Sequence, residues 1–419
     1  MRLPSWLLKS SWSLVDQVSF AAASFSLNVF LAKSLSAFEY GVFSIAFSIY
    51  VLIIVIHTAL ISEPMLVFGA SKYDREFEKY LSNLAHLHWI LSIVIVAVLL
   101  ALSVVTSLLN QNLLASNLLA LSIASPAILA LIFLRRTVYI RGQQHLAGLV
   151  GVIHLLLVLF LLMFSGLLLG THIQPWHGFL IMGFSSLVCI FLLSKWLGLN
   201  IFISPFGMST EVIEVIREHW NYGRWSLPAN LLSWFPWNFP YIALATFSNE
   251  DNAGYLRAYM NLILPFLQVI AAMNTAIVPA LARRRYAKDF YGFLAKMLVV
   301  IAIPSGIYWL LMGISHSEIV RLLYSGRFID RSNLLWTLAF LPVVEGQIVV
   351  LVSGLRVLER SDLVFLVYFM GALVTVVTSI WFIKLWDLWG LAWSMICAFA
   401  LMYVSLLWVT LRGRVRIYV

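Results

Sequence analysis

Apolar residues run in long blocks along this chain, and polar residues gather in short clusters between them. A membrane-crossing helix needs roughly 20 mostly apolar residues. About twelve blocks reach that length, at 11–33, 39–62, 86–108, 115–136, 146–169, 176–196, 226–247, 254–280, 291–313, 333–355, 362–383 and 388–411. They are too long for barrel strands and lack strict alternation, so helices are predicted. The pattern predicts an all-α polytopic membrane protein of about 12 transmembrane helices. It divides into a six-helix lobe over 1–196, a cytoplasmic linker over 197–225 and a second six-helix lobe over 226–419. Within the linker, "STEVIEVIREHW" reads as an amphipathic helix on the inner membrane surface. Ser209 or Thr210 would cap it, and Val212, Ile213, Ile216 and Trp220 would form its apolar face. The N-terminal "MRLPSWLLKSSWSLVDQVSFAAAS" has traits of a signal peptide, but Asp16 and Gln17 interrupt its apolar stretch. A retained first span is expected.

Composition agrees with the pattern. The 419 residues are 62% hydrophobic and 11% charged, whereas soluble domains carry about 25% charged residues. A net charge of +9 does not point to nucleic acid, because the charges form no basic face. They follow the positive-inside trend instead. With both termini cytoplasmic, 21 of the 27 Lys and Arg fall on the inside, 5 on the outside, and Arg257 lies within a span. Cys189 and Cys397 sit singly in apolar runs, which indicates neither a metal site nor a disulfide framework. There is no Gly-rich phosphate loop with a lysine, so no cofactor or ATP-driven step is expected of this chain.

The second half echoes the first. "AKSLSAFEYGVFSIAF" and "ATFSNEDNAGYLRAYM" place Ala and Gly at one interval, Ala32/Gly41 and Ala245/Gly254. Pro64 and Pro279 then close apolar runs, and Pro126 roughly corresponds to Pro342. Two six-span halves in one orientation imply parallel lobes about a central cavity, a transporter trait.

The stretch "DQVSFAAASFSLNVFLAKSLSAFEYGVFSIAFSIYVLIIVIHTALISEPMLV" resembles the opening of bacterial polysaccharide flippases. These are the O-antigen type of the multidrug/oligosaccharidyl-lipid/polysaccharide exporter superfamily. "YGRWSLPANLLSWFPWNFPYIALATFSNEDNAGYLRAYMNLILPFLQ" resembles the start of that superfamily's second lobe. The resemblance implies alternating access by lobe rocking. The implied cargo is a polyprenyl-pyrophosphate-linked oligosaccharide, carried to the outer leaflet of a bacterial inner membrane. It further implies membrane lipids, a proton or sodium as coupling ion, and polysaccharide assembly enzymes as partners. Twelve spans leave no room for the extra helix pair that holds the lipid tail in related lipid II flippases.

Several polar residues lie at membrane depth, where each costs roughly 2.5–3.5 kcal/mol if ionised. Glu345 stands midway along the tenth span, flanked by Pro342 and Gly346, so a kink beside the carboxylate is expected. Its readings are proton coupling, contact with sugar hydroxyls, or a neutral packing group. Asp16 and Gln17 form the polar start of the first span, which the resemblance places at the cytoplasmic mouth of the cavity. Arg257, one turn below the outer surface, reads as a pyrophosphate contact or as a side chain snorkelling outward. His57 and His154 read as proton relays or interhelical hydrogen-bonding residues. In "SLPANLLSWFPWNFPYI", Pro228, Pro236 and Pro240 interrupt the backbone ladder and suit a bending gate. Trp234 and Trp237, with Asn238, offer a sugar-stacking surface or plain core filling. The competing functions are a cation-coupled drug exporter of the same superfamily and a membrane polysaccharide polymerase or glycosyltransferase. The outside loops carry no paired carboxylate spacing, which disfavours an enzyme.

Overall fold

The structure is a computed structural model that describes residues 5–198, 210–287 and 289–417. Helices dominate, and no strand occurs among the described residues. The first half holds α1 (Ser5–Ser34), α2 (Ala37–His57), α3 (Glu63–Gly69), α4 (Phe77–Leu108), α5 (Asn112–Ile140), α6 (Gln144–Leu169) and α7 (His177–Leu197). The second holds α8 (Thr210–Phe247), α9 (Glu250–Ala282), α10 (Phe290–Ile314), α11 (His316–Tyr324), α12 (Leu335–Leu338), α13 (Leu341–Val357) and α14 (Ser361–Ile417).

Among the described residues, ten helical stretches are long and apolar enough to cross a membrane. One joins α2 to α3 through a π-helical turn over Thr58–Ser62. Another, in α14, is long enough for two crossings, and Asp387 at φ 54° and ψ −128° breaks it in the middle. The C-terminal part of α8, too polar to be among the ten, is the seventh span of the sequence pattern. Together these make the twelve segments of a multi-pass membrane protein.

Two compact units share the chain, Met1–Leu231 and Leu232–Val419. In the first, α5 is the central helix, with 78% of its apolar window buried. It packs on α2, α4 and α7. In the second, α13 takes that place, its span 72% buried, and it packs on α9, α10 and α14. The fourth and tenth spans, which carry Pro126 and Pro342, are thus the hubs of their units. Spans on the periphery bury far less, 17% for both α6 and α10, because lipid solvates their apolar faces.

The duplicated sequence also folds alike locally. Ser36 caps α2 in a capping box: its hydroxyl accepts from the Glu39 N–H at 3.2 Å, and the Glu39 carboxylate accepts from the Ser36 N–H at 2.8 Å. Asn249 caps α9, accepting from the Asn252 N–H at 2.9 Å. Each cap stands four residues after the repeat's alanine, Ala32 or Ala245. The shared interval is a shared helix start.

Two local expectations are corrected. The linker helix does not lie apart on the membrane surface, because α8 runs unbroken from the linker through the seventh span. Its buried positions are Val212, Val215 and His219, while Ile213 and Trp220 are exposed. Of the four residues read as its apolar face only Val212 is buried, and the face turned toward α4 and the π-turn is that of Val215 and His219. Of the two proposed caps, Ser209 lies outside the described residues and Thr210 begins α8. Pro228, Pro236 and Pro240 all lie inside this unbroken helix. Each removes one backbone donor, but the carbonyl it frees does not end the helix. Pro342 does not kink a continuous helix: the tenth span is broken at Ala339–Phe340, and Pro342 sits in the first turn of α13. There its missing N–H costs no ladder bond.

Candidate functional site

Within the first unit, α1, α5 and α6 converge on a polar cluster. Asp16 and Phe20 lie one turn apart on α1, and Arg135 and Tyr139 are spaced likewise on α5. Four-residue spacing puts each pair on one helix face. The Asp16 carboxylate accepts from Arg135 at both oxygens, from Nε at 3.1 Å and from Nη2 at 2.7 Å. The Tyr139 hydroxyl donates to it at 2.7 Å. Gly151 of α6 makes the close approach possible, since a Cβ there would stand 3.1 Å from the Asp16 Cα and 3.2 Å from its carbonyl oxygen.

The pair is asymmetric. The Asp16 side chain is 0% exposed and that of Arg135 18%. Guanidinium, not carboxylate, meets the neighbouring cavity of about 230 Å³. Its centre lies 3.5 Å from the centroid of the Phe20 ring, a cation–π contact. The His154 ring stacks on Phe20 at 4.5 Å, and its Nδ1 has no hydrogen-bond partner among the described residues. Tyr50, Ser24 and Ser186 add polar groups to an otherwise aliphatic lining. The cavity therefore presents one positive charge, an aromatic face and a few hydroxyls inside an apolar wall. Such a lining accommodates an anionic or hydroxyl-rich group carried on an apolar body.

Not every residue expected from sequence joins this cluster. Gln17 is exposed, beside Asp16 in sequence but turned away. His57 lies elsewhere in the unit, where its Nε2 meets His88 Nδ1 at 3.1 Å. In the second unit, Arg257 is 3% exposed, with its guanidinium 5.6 Å from the centroid of the Tyr241 ring. It does not snorkel outward. Trp234 is buried, and Trp237 packs edge-on against Phe399 at 4.7 Å. Asn238 donates to the Trp234 carbonyl at 3.2 Å.

Glu345 lies in the second turn of α13, just after the break, midway along its span. Val344 and Gly346 on either side are buried, whereas Glu345 keeps part of its surface accessible. Gln347 turns away and donates to the Leu298 carbonyl at 3.2 Å. Tyr368 of α14 is within electrostatic reach of the carboxylate. Glu345 thus stands near the N-terminus of a half-helix inside the membrane, where the helix dipole favours negative charge.

At the linker end of the first unit, the N-terminal part of α8 is held by charge and hydrogen bonds. Glu218 pairs with Lys72 and accepts from the Tyr73 hydroxyl at 2.8 Å. Lys79 pairs with Glu211 at 2.6 Å. His219 Nδ1 donates to the Leu60 carbonyl at 2.9 Å, so its Nε2 accepts from the Tyr80 hydroxyl at 2.7 Å. Burial lowers the His219 pKa to about 4, partly offset by that carbonyl and by Glu218. Burial works against the Glu218 charge as well, but its bonds to Lys72 and Tyr73 bring its pKa below the usual carboxylate value.

Sequence reasoning missed Arg135, Tyr139, His88 and His219. Arg135 sits in a basic cluster that served to set topology, and no spacing along the chain pairs it with Asp16.

No family model matches the sequence, and no curated protein matches it. Solved structures do share the fold. A multidrug resistance MATE family transporter of the MOP superfamily in its inward-facing conformation superposes with a TM-score of 0.78 at 14% identity. The match covers 96% of this chain and 98% of that one. The lipid II flippase MurJ, inward closed, gives 0.72 at 14% identity, over 95% of this chain and 87% of that one. A MOP superfamily transporter from Pyrococcus furiosus, whose binding pocket is described as reversed in polarity, gives 0.66 at 15% identity, over 98% and 96%. The chain has the twelve-helix fold of these transporters.

Proposed function

We propose that the protein is a transporter that flips a polyprenyl-pyrophosphate-linked oligosaccharide from the cytoplasmic to the outer leaflet by alternating access. It would serve surface polysaccharide synthesis in a bacterial inner membrane, with both termini cytoplasmic. The observation that carries this reading is the Asp16–Arg135 pair. A carboxylate sealed by two guanidinium bonds and a tyrosine hydroxyl offers nothing to a cationic drug. The guanidinium that faces the cavity favours an anionic group such as a pyrophosphate. Phe20 and His154 supply flat faces beside it, and the aliphatic lining tolerates an apolar body. Glu345 is the proposed coupling or sugar-contacting group of the second unit, with a proton or sodium as the coupling ion. Arg257 holds its own helix pair together rather than meeting cargo. Assembly enzymes for the glycan are the proposed protein partners.

Deleting the gene and measuring surface glycan together with its lipid-linked precursors tests the proposal. Precursor accumulating on the cytoplasmic leaflet, restored by the wild-type gene and not by Arg135→Glu at equal membrane abundance, is the expected result. Normal glycan with heightened sensitivity to cationic drugs would establish the drug exporter instead.

A further inference from the structure

The polar groups of the first unit that the transport reading leaves unused form a second constellation, centred on the π-helical turn. Glu63 N–H bonds the Thr58 carbonyl, five residues back instead of four. Such single turns arise where a helix holds one extra residue, and they occur disproportionately at functional sites. Its counterpart helix in the repeat, α9, runs as an α-helix from end to end. The irregularity therefore belongs to this half alone and is not inherited from the duplicated scaffold.

Two sets of contacts meet on the turn. On its membrane side is His57, buried with His88 of α4. His57 Nε2 and His88 Nδ1 are 3.1 Å apart, and His57 Nδ1 faces the Ser62 hydroxyl at 3.5 Å. The His88 ring stacks on Phe133 of α5 at 5.3 Å, and its Nε2 has no hydrogen-bond partner among the described residues. His88 is the titratable group that faces His57, and the neighbouring contact from α5 is the uncharged Phe133. On the linker side is α8. His219 donates to the Leu60 carbonyl, and Gly223 lies against Ala59 and Leu60. Ser226 donates to the Glu63 carboxylate, as does Asn230 at 3.2 Å. Positions 219, 223, 226 and 230 form one face of a helix. That whole face is seated on the π-turn and the residue after it.

The proton inventory of the histidine pair is limited by geometry. One proton must lie between the two rings, and a neutral pair carries one more at an outer nitrogen. A single added proton from solvent fills the remaining outer nitrogen, either His57 Nδ1 or His88 Nε2. A second would set two N–H groups against each other across 3.1 Å. The pair therefore takes one proton at most in this arrangement. In the state with His57 Nδ1 bare, the Ser62 hydroxyl donates to it, and once Nδ1 is protonated Ser62 must accept. Ser62 lies in the same five-residue turn as Leu60, which holds His219.

We propose that the π-turn couples a one-proton site, the His57–His88 pair, to the docking of α8 on the first unit. Protonation reorients Ser62, shifts the turn and loosens the seat of α8. Because α8 continues past Leu231 into the second unit without a break, its docking is a point at which a proton could bias the motion of that unit. The mechanism holds whatever the cargo, so its failure would leave the transport proposal standing.

Hydrogen exchange of the α8 amides over 211–225, in full-length protein in lipid nanodiscs between pH 8 and 5.5, tests the coupling. Rates are corrected for intrinsic pH dependence. His219→Gln removes the titration of the latch itself. In that background we expect exchange still to rise by about tenfold on acidification, the response of one pKa unit of linkage. Adding His57→Gln should abolish the rise. Protection of α5 serves as the folding control. If the His57 variant fails that control, Ser62→Ala, which keeps the pair and cuts its link to the turn, should abolish the rise in its place. A pH response already absent in His219→Gln alone, or one that survives both added substitutions, would overturn the proposal.

Discussion

Removing Arg135 should be far more costly than removing Asp16, although the two are partners. In Arg135→Gln the Asp16 carboxylate, 0% exposed, loses both guanidinium bonds and keeps only that from Tyr139. Breaking a buried pair this way costs about 3–5 kcal/mol, because a charge is left sealed without compensation. In Asp16→Asn the guanidinium left behind has 18% exposure onto a cavity and still rests on Phe20. Water can reach it, and an amide oxygen can accept one of its hydrogens, so a cost of about 1–2 kcal/mol is expected. The double variant carries no charge at all and should fall close to Asp16→Asn. The resulting coupling energy then equals the cost of Arg135→Gln itself, about 3–5 kcal/mol, well above that of exposed ion pairs. Reversible unfolding of the purified protein by SDS in mixed micelles measures all four members of the cycle. Equal costs for the two single variants, or a coupling below about 0.5 kcal/mol, would refute both the sealed pair and the argument that the cavity sees only the cation.

Three further outcomes follow from the same geometry. Gly151→Val should separate α1 from α6, because its Cβ meets Asp16 backbone atoms at 3.1–3.2 Å. A loss of about 1–3 kcal/mol is expected on the same SDS titration, against almost none for Gly292→Ala, where a Cβ meets open space. His219 is neutral in the fold with its pKa lowered to about 4 from the ordinary 6.5. The undocked side chain therefore binds the proton more readily, and its contribution to docking is complete above pH 6.5. It declines as the pH falls from 6.5 to 4, by about 3 kcal/mol in all. Tryptic cleavage at Arg217 and Arg224 should accelerate over that window in the wild type and lose that component in His219→Gln. Glu345→Gln should impair transport at unchanged membrane abundance. Wild-type transport by both Glu345→Gln and Glu345→Ala would restrict the residue to packing.

The sequence alone determined the class of the protein. Blocks of this length and apolarity have no stable alternative to helices in lipid, so twelve spans were legible from hydropathy. The Ala32/Gly41 and Ala245/Gly254 interval was legible as a repeat, and the structure shows that it marks two helix starts, capped by Ser36 and Asn249. The polar positions Asp16, His57, His154 and Glu345 stood out because membrane depth makes them costly. Tertiary structure alone decided their partners. Asp16 is sealed by Arg135, 119 positions away, and His57 finds His88 across a helix boundary. A hydrophobicity pattern records how each helix meets lipid or core but not which helices are neighbours. The linker shows the limit most clearly: Val212 and Trp220 are both apolar, yet only the first is buried. Its apolar pattern fits a membrane surface as well as a protein one, and α4 with the π-turn supplies the surface that decides between them.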